Sequence, residues 1–398
     1  MEQKIDIHNY KGRFDSTVKR INGSLDISDQ DKLAINRLKD YCICQGITYG
    51  KIDAYLFYAS RLARMLHKPI EQATKEDLMK VVAELNQSHY SEETKVCFKI
   101  MIRKFYKMLK GIEEKGKYPP EVDWINTTIS KNHEKLPEEL LTEEEVEKII
   151  RSARTVRDKA LLAVIAESGC RVSEIGTMKI RQITFEQHGA RLTVSGKTGT
   201  RKILVISTTP YLREWLNQHP LNDNSDAYLW YNSGKNSFLS YARIAHILKA
   251  AASKAGIKKR VYLHLLRHTR ATRMANMMSE AAMKQYFGWT QSSKMASIYV
   301  HMSGKDTDDA ILKANGIEIK KEEFKQCLKP LNCEGCKTIN EATNRFCKVC
   351  GLPLVKEEAQ EIIKTDTERK QYDEMMMKAL ADPRILEIIK EKMKGIQN

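Results

Sequence analysis

The chain has 398 residues, more than a single hydrophobic core usually organises, and 42% of them are hydrophobic. Its formal net charge is +16 at pH 7, with most of the basic excess in residues 136–315, so nucleic acid is the favoured partner. The uncharged apolar runs are too short to cross a bilayer and the first residues carry no export signal, which excludes an integral membrane protein and predicts a cytoplasmic one.

The first part of the chain has the apolar spacing of helices and no strand pattern. N-cap signatures stand at Thr74 and Ser91, and each is followed by acidic residues, as is common in the first turn of a helix. The predicted helices are 30–44, 51–66, 74–85 and 91–109. We therefore expect a helical bundle within residues 1–112, followed by a linker over residues 113–137 that is rich in Lys, Gly, Pro and Asn.

A second unit is predicted over residues 138–316, where a helix capped by Thr142 begins. Three short segments in it alternate polar and apolar residues between turn signals, which predicts a small antiparallel sheet. The predicted strands are 181–185, 191–195 and 202–206, and the later helices are 210–218, 237–255, 265–278, 281–287 and 295–301. The predicted fold class is mainly α with a small antiparallel β-sheet, as a helical domain followed by a mixed α+β domain.

Two Cys-x-x-Cys pairs lie ten residues apart in a segment at 327–355, and their members are Cys333, Cys336, Cys347 and Cys350. Four thiolates at this spacing are typical of a structural zinc site, because they complete a tetrahedral coordination sphere. A redox role for the pairs is a weaker alternative, and the scattered remaining cysteines do not form a disulfide framework. We expect a zinc ribbon that contacts either DNA or protein, with its near-neutral charge favouring protein.

A charged helical tail is predicted over residues 356–398, including a segment at 384–394 with an apolar face. That face would suit docking on a neighbouring protomer or folding back on its own chain.

Residue types suited to phosphate chemistry occur in a set order in the second unit. They are Arg171, Lys197, His264, Arg267, Trp289 and Tyr299. Each has an ordinary structural explanation when taken alone, such as a surface ion pair or a buried ring. His264 and Arg267 are three residues apart, so they share one face of a helix and can approach one anion together. The chain has no Walker loop and no carboxylate cluster of the kind that holds catalytic Mg²⁺.

In this order the six residues resemble the motif of the tyrosine recombinase, or phage integrase, family, which is Arg, Lys, His-x-x-Arg, His or Trp, and Tyr. The resemblance covers about residues 136–314. More loosely, the N-terminal bundle is similar to the family's helical core-binding domain, which binds DNA. The resemblance implies a core-binding domain at 1–112 and a catalytic domain at 138–316. The zinc ribbon at 327–355 is an addition to the minimal family pattern.

The resemblance also implies the roles of the basic residues. Arg171 and Arg267 would clamp the scissile phosphate, since guanidinium groups match phosphate oxygens in pairs and remain charged. Lys197 would protonate the leaving 5′ oxygen, and His264 would assist proton transfer. Glu174 would orient an arginine. Lys202 is the alternative to Lys197, although it begins a strand.

Tyr299 would be the nucleophile and would form a 3′-phosphotyrosine, while Trp289 would pack beside the phosphate. Tyr286 is the less favoured alternative, because it precedes the Gly-Trp element. The spacing from Trp289 to Tyr299 is one residue longer than is usual in the family. No cofactor is needed for this chemistry.

The predicted function is site-specific recombination of double-stranded DNA through a Holliday junction, by a chain that is a monomer or dimer when free and a homotetramer on DNA. One alternative is a type IB topoisomerase-like enzyme, which relaxes supercoils with the same chemistry. Another is a DNA-binding architectural protein with an idle site, and the presence of all six residue types argues against it.

Overall fold

The structure is a computed structural model that describes residues 6–128, 139–196, 198–232, 237–303, 315, 330–381 and 383. The chain divides into two compact units, Met1–Lys135 and Leu136–Asn398. Within the described ranges, no helix combines the length and the apolar character needed to span a lipid bilayer.

The described part of the first unit is helical. Its helices are α1 (Tyr10–Asn22), α2 (Asp29–Cys44), α3 (Tyr49–Leu66), α4 (Lys75–Gln87) and α5 (Glu92–Leu109). Helix α3 packs against each of the other four, and its Leu56 and Leu62 are fully buried. Burial of one apolar face holds such a bundle together, since each fully buried leucine contributes roughly 1.5–3 kcal/mol.

Helix α1 was not predicted from the sequence. Its N-cap residue, Asn9, makes no side-chain capping hydrogen bond, so the usual start signal is missing. The helix is held by tertiary packing instead, because Phe14 and Ile21 are buried in the core of this unit.

The chain beyond α5 continues the same core. Val122 and Ile125 are buried in it, and a turn places the N–H of Val122 3.0 Å from the carbonyl oxygen of Pro119. The packed part of the first unit therefore extends at least to Ile125, past residue 112 and into the segment expected to be a linker.

The second unit combines helices with a three-stranded antiparallel sheet in the order β1-β2-β3. The described helices are α6 (Glu143–Ser152), α7 (Val156–Ser168), α8 (Val172–Ile175), α9 (Thr209–Asn217), α10 (Tyr241–Lys254), α11 (Leu263–Ala275), α12 (Glu280–Phe287), α13 (Met295–Ser303) and α14 (Lys356–Ala381). The strands are β1 (Ile183–Glu186), β2 (Gly189–Gly196), β3 (Gly199–Val205), β4 (Tyr231–Asn232), β5 (Ser237–Phe238), β6 (Leu331–Asn332) and β7 (Ile339–Asn340). This architecture confirms the predicted fold class.

Local signals account for most of the boundaries in this unit. Thr142 and Glu145 form both halves of a capping box at the start of α6. Helix α10 begins later than predicted, because Ser240 caps it while Ser237–Phe238 pairs with Tyr231–Asn232. Helix α7 is buried on nearly all sides, since it packs against α6, α9 and α11.

The cysteine-rich segment packs on α9. The hydroxyl of Tyr211, which is 1% exposed, lies 3.0 Å from the Thr343 hydroxyl, and Lys348 pairs with Glu214 at 3.2 Å. Helix α14 follows this segment and carries largely exposed side chains such as Tyr372 and Met376. The helix predicted at 384–394 lies outside the described residues.

Candidate active site

Arg171 begins the short helix α8, directly after α7 ends at a left-handed Gly169. Its backbone N–H donates to Oε2 of Glu174 at 2.9 Å, and its Nη1 lies 3.2 Å from Oε1 of the same carboxylate. The guanidinium also donates to the carbonyl oxygen of Gly288 at 3.3 and 3.4 Å. The side chain is one-third exposed, so it is held in place yet remains accessible to a ligand.

Glu174 is the buried hub of this arrangement, with a side chain 1% exposed. Arg201 on β3 donates to both of its oxygens, at 3.0 and 2.9 Å, and also to the carbonyl oxygen of Tyr286. Burial by itself would raise the pKa of Glu174, but the hydrogen bonds and charge of Arg201, and then the backbone N–H and charge of Arg171, lower it below 4.5. Glu174 therefore contacts both Arg171 and Arg201, the second of which was not predicted as a site residue.

The β2–β3 hairpin lies directly on this carboxylate. A Cβ atom at Gly196 would be 2.3 Å from Oε1 of Glu174, so any larger residue there would displace this carboxylate. The next residue is Lys197, the predicted acid, and it lies outside the described residues. Beyond it, the hydroxyl of Thr198 donates to the carbonyl oxygen of Gly288 at 3.0 Å. Both described neighbours of Lys197 are thus tied to the site.

Arg267 on α11 is almost fully buried, at 2% exposure. Its two terminal nitrogens donate to the carbonyl oxygens of Gly169 and Phe287, each at 2.8 Å. Burial, and then the charge of Arg171, lowers the pKa of Arg267 to about 10, so the group is still cationic at neutral pH. Two cations that repel each other at one site favour an anion, which would offset that repulsion.

Two histidines lie on the same face of α11. His264 is exposed and lines a cleft beside Arg267, whereas His268 is half-buried one turn further on. Their rings meet edge to face, with centroids 4.5 Å apart. Nδ1 of His268 lies 2.5 Å from the hydroxyl oxygen of Tyr299. His268 was not predicted as a site residue, although its spacing of four from His264 places it on the same helical face.

Tyr299 on α13 is buried beneath the cleft, at 2% exposure. Its ring stacks on that of Trp289, with centroids 5.5 Å apart and planes 7° apart, and Phe287 stacks on Trp289 in turn. Burial raises the pKa of Tyr299 to about 12, opposed by the charge of Arg267. The longer spacing between Trp289 and Tyr299 is therefore accommodated with the two rings in contact.

One cleft of about 730 Å³ collects most of the predicted residues. Its lining includes Arg171, His264, Arg267, Trp289 and Tyr299. Lys202 is exposed on β3, and the hydroxyl of Tyr286 donates to the carbonyl oxygen of Glu167, so neither alternative lines the cleft. Two cations, a histidine and a phenol that face one cleft are suited to nucleophilic attack on a phosphodiester.

The four cysteines form a second, separate cluster. The Sγ atoms of Cys333, Cys336, Cys347 and Cys350 all lie within 4.8 Å of one another. The two pairs adopt matching turns, with a left-handed residue after each second cysteine, Lys337 in one and Gly351 in the other.

Backbone hydrogen bonds hold the cysteines in these two matching turns. In both turns the N–H of the left-handed residue donates to the carbonyl oxygen of the first cysteine at 2.9 Å. Hydrogen bonds from the backbone at Cys350, and then at Val349, lower the pKa of Cys347 to about 6 against the effect of burial. Four converging thiols, one of them readily ionised, fit the donor set of a tetrahedral zinc site.

Comparison with known proteins gives concordant results. Residues 139–305 match the model of the phage integrase family. The tyrosine recombinase XerA of Pyrococcus furiosus is 28% identical over 282 residues, covering 70% of this chain and 92% of that protein.

Solved structures show the same fold. The XerH site-specific recombinase in a post-cleavage complex with its palindromic difH substrate superposes with a TM-score of 0.55 at 19% identity, over 79% of this chain and 98% of that one. A lambda integrase tetramer bound to a Holliday junction superposes with a TM-score of 0.52 at 17% identity, over 67% and 76% of the two chains.

Proposed function

We propose that this chain is a site-specific DNA recombinase of the phage integrase family, which cuts and rejoins strands through a 3′-phosphotyrosine. The observation that carries the proposal is the convergence of Arg171, Arg267, His264 and Tyr299 on one cleft. The chemistry of a phosphodiester substrate accounts for each of these groups.

In the proposed reaction the two arginines hold the scissile phosphate. The Arg171 guanidinium is accessible, and Arg267 is fixed by two carbonyl oxygens, so both are oriented before the substrate arrives. Preorganised cations of this kind stabilise the charge that develops at phosphorus, and removal of one donor typically costs about 10²–10³ in rate. His264, exposed at the rim, contacts the same phosphate.

Tyr299 then attacks the phosphorus, and the 5′ oxygen leaves with a proton from Lys197. The covalent phosphotyrosine retains the energy of the phosphodiester, so another 5′ hydroxyl can attack it and seal the strand without nucleotide hydrolysis. Trp289, stacked on Tyr299, holds the nucleophile's ring in place.

The proposed partner is double-stranded DNA with a specific site, bound by the N-terminal helical unit as well as by the catalytic unit. We propose four protomers on two duplexes, as in the lambda integrase tetramer bound to a Holliday junction. Sedimentation of the chain with its duplex would show a species of four chains and two duplexes, and a mass that never exceeds one chain per duplex would contradict this assembly.

The cysteine cluster is proposed to hold one structural Zn²⁺. When bound, the ion would cross-link the two turns of a segment whose described part, residues 330–353, is too small for a core of its own. Cys333, Cys336, Cys347 and Cys350 would be its four ligands, which leaves no position for catalysis at the metal. Metal analysis of the purified chain tests this directly.

A covalent-capture experiment tests the proposed activity. The full chain is incubated with a pool of randomised duplexes that carry nicks, and strands that remain attached to protein after denaturation are recovered and sequenced. We expect enrichment of one site and its attachment through a 3′ phosphate to Tyr299. Tyr299→Phe serves as the matched control, because it keeps the ring and removes only the hydroxyl.

Two outcomes would favour the other functions. Relaxation of a supercoiled plasmid that lacks the enriched site would support a type IB topoisomerase-like enzyme. DNA binding without any adduct would support an architectural protein. An adduct that persists in Tyr299→Phe would show that another residue is the nucleophile.

A further inference from the structure

A hydrogen bond joins α11 and α13 beneath the cleft, between Nδ1 of His268 and the hydroxyl oxygen of Tyr299. The two rings lie 5.8 Å apart and are tilted by 45°. Trp289 stacks on the tyrosine ring and leaves the phenol little freedom to rotate. The geometry thus holds the phenolic hydroxyl of Tyr299 against one nitrogen of His268.

This phenol needs a proton acceptor before it can act. Burial raises the pKa of Tyr299 to about 12, so the hydroxyl is neutral at physiological pH and is a weak nucleophile. Guanidinium groups have no lone pair to accept a proton, which excludes Arg171 and Arg267 as bases. Nδ1 of His268 lies within hydrogen-bonding distance of the Tyr299 hydroxyl and can accept a proton.

The two histidines of α11 face different parts of the reaction. His264 is exposed at the cleft, where the phosphate would bind, whereas His268 is half-buried against Tyr299. The neutral tautomer of His268 with its proton on Nε2 leaves the Nδ1 lone pair directed at the phenol. This placement puts His264 beside the phosphate and His268 beside the phenol of Tyr299.

We propose that His268 is a catalytic residue, the general base that takes the proton of Tyr299 as its oxygen attacks the phosphate. The inference rests on the proposed function. In the cleavage step the bond from Tyr299 Oη to phosphorus forms and the bond from phosphorus to the 5′ oxygen breaks. The phenolic proton moves to His268 Nδ1, and the 5′ oxygen takes a proton from Lys197. Rejoining reverses each transfer, with His268 returning its proton to Tyr299.

The test compares His268→Asn with the wild-type chain in single-turnover cleavage of the duplex enriched by covalent capture. The Asn side chain can accept a hydrogen bond near the Nδ1 position but cannot take a proton, so we expect cleavage about 10²–10³-fold slower. His246→Asn, an exposed histidine on α10, is the matched control and should cleave at the wild-type rate.

Changing the acidity of the nucleophile or of the leaving group distinguishes a general base at His268 from a purely structural role. Trifluorotyrosine at position 299 has a more acidic phenol, so it should restore cleavage by His268→Asn at least tenfold, because less help is needed to remove the proton. A 5′-bridging phosphorothiolate, whose leaving group needs no proton, should not restore it. Rescue by the phosphorothiolate alone, or wild-type cleavage by His268→Asn, would overturn the assignment.

A second measurement needs neither a substitution at His268 nor DNA. Nitrogen NMR of the full wild-type chain with labelled histidine should show His268 with its proton on Nε2, and a proton on Nδ1 would refute the proposal even if His268→Asn fails to fold. Failure of the wild-type chain to form any adduct would count against the proposed function instead. The two failures are therefore separable.

Discussion

The cysteine cluster and the recombinase cleft are built in opposite ways. The four cysteines lie within one short segment, and two matching turns bring their sulfur atoms together. The cleft instead collects side chains from α8, α11 and α13, supported by β3, which are far apart in the chain. The cluster thus depends on local geometry, while the cleft depends on the packing of the whole catalytic unit. Substitutions in the two regions should therefore separate folding of the ribbon from DNA cleavage.

The largest effect on cleavage is expected from Arg267→Ala. The substitution removes the buried arginine proposed to clamp the phosphate, and we expect single-turnover cleavage to fall about 10³-fold. The measurement is adduct formation on the captured duplex, with the exposed Arg154→Ala as the matched control. A loss of less than tenfold in a folded Arg267→Ala chain would show that this arginine does not contact the reacting phosphate.

A large but smaller effect is expected from Glu174→Gln. The variant keeps the shape of the side chain and leaves Arg171 and Arg201 without their shared charge, so we expect cleavage about 10²-fold slower. The same change should lower the free energy of unfolding by about 3 kcal/mol, because it breaks a buried ion pair. Urea unfolding measures it, with the exposed Glu280→Gln as control.

The Glu174 ion pair also predicts a pH dependence. Its pKa in the folded chain is lower than the ordinary 4.5, so its stabilising contribution is present above about pH 4.5 and is lost as the pH falls through the folded value. The wild-type chain should lose more stability than Glu174→Gln between pH 6 and pH 3. Parallel curves for the two chains would mean that Glu174 is not charged in the folded state.

A moderate effect on stability and cleavage is expected from Gly288→Ala, with Gly256→Ala as the matched control. Both glycines have positive φ, 62° and 70°, but a Cβ atom at Gly288 would lie 2.6 Å from Nη1 of Arg201, while that at Gly256 meets no atom within 4 Å. The added clash should cost about 1–2 kcal/mol beyond the cost at Gly256, and should slow cleavage roughly tenfold by displacing the arginines. Equal losses in both variants would contradict this close approach.

The smallest effect on cleavage is expected from Cys347→Ser, although its effect on the ribbon is large. Zinc content should fall from about one equivalent to near zero, and amide protons of residues 330–353 should lose protection from exchange. Cleavage should change less than about threefold, since the ribbon lines no part of the cleft. Cys97→Ser, an exposed cysteine of α5, should retain the metal. If Cys347→Ser reduced cleavage as much as Arg267→Ala does, the cysteine cluster and the cleft would not be independent of each other.

The helices were predictable where caps and apolar periodicity agree, as at Thr74 and Thr142. Helix α1 was missed, because its N-cap makes no side-chain hydrogen bond and packing of Phe14 and Ile21 holds it. The residues beyond α5 were expected to be a linker, because the stretch is rich in Lys, Gly, Pro and Asn and its apolar residues show no sustained periodicity. Val122 and Ile125 are buried by packing against helices that are distant in the sequence, and no local sequence pattern indicates this packing.

By itself the sequence determined the fold class, the order of the six residues of the recombinase motif and the paired Cys-x-x-Cys pattern, since each depends on residue type and short spacing. Only the tertiary structure decided which neighbours complete the cleft. Arg201 on β3 reaches Glu174 on α8, and His268 on α11 contacts Tyr299 on α13. Those pairings depend on how helices and strands that are distant in the chain pack together. The spacing of residues along the sequence does not indicate that packing.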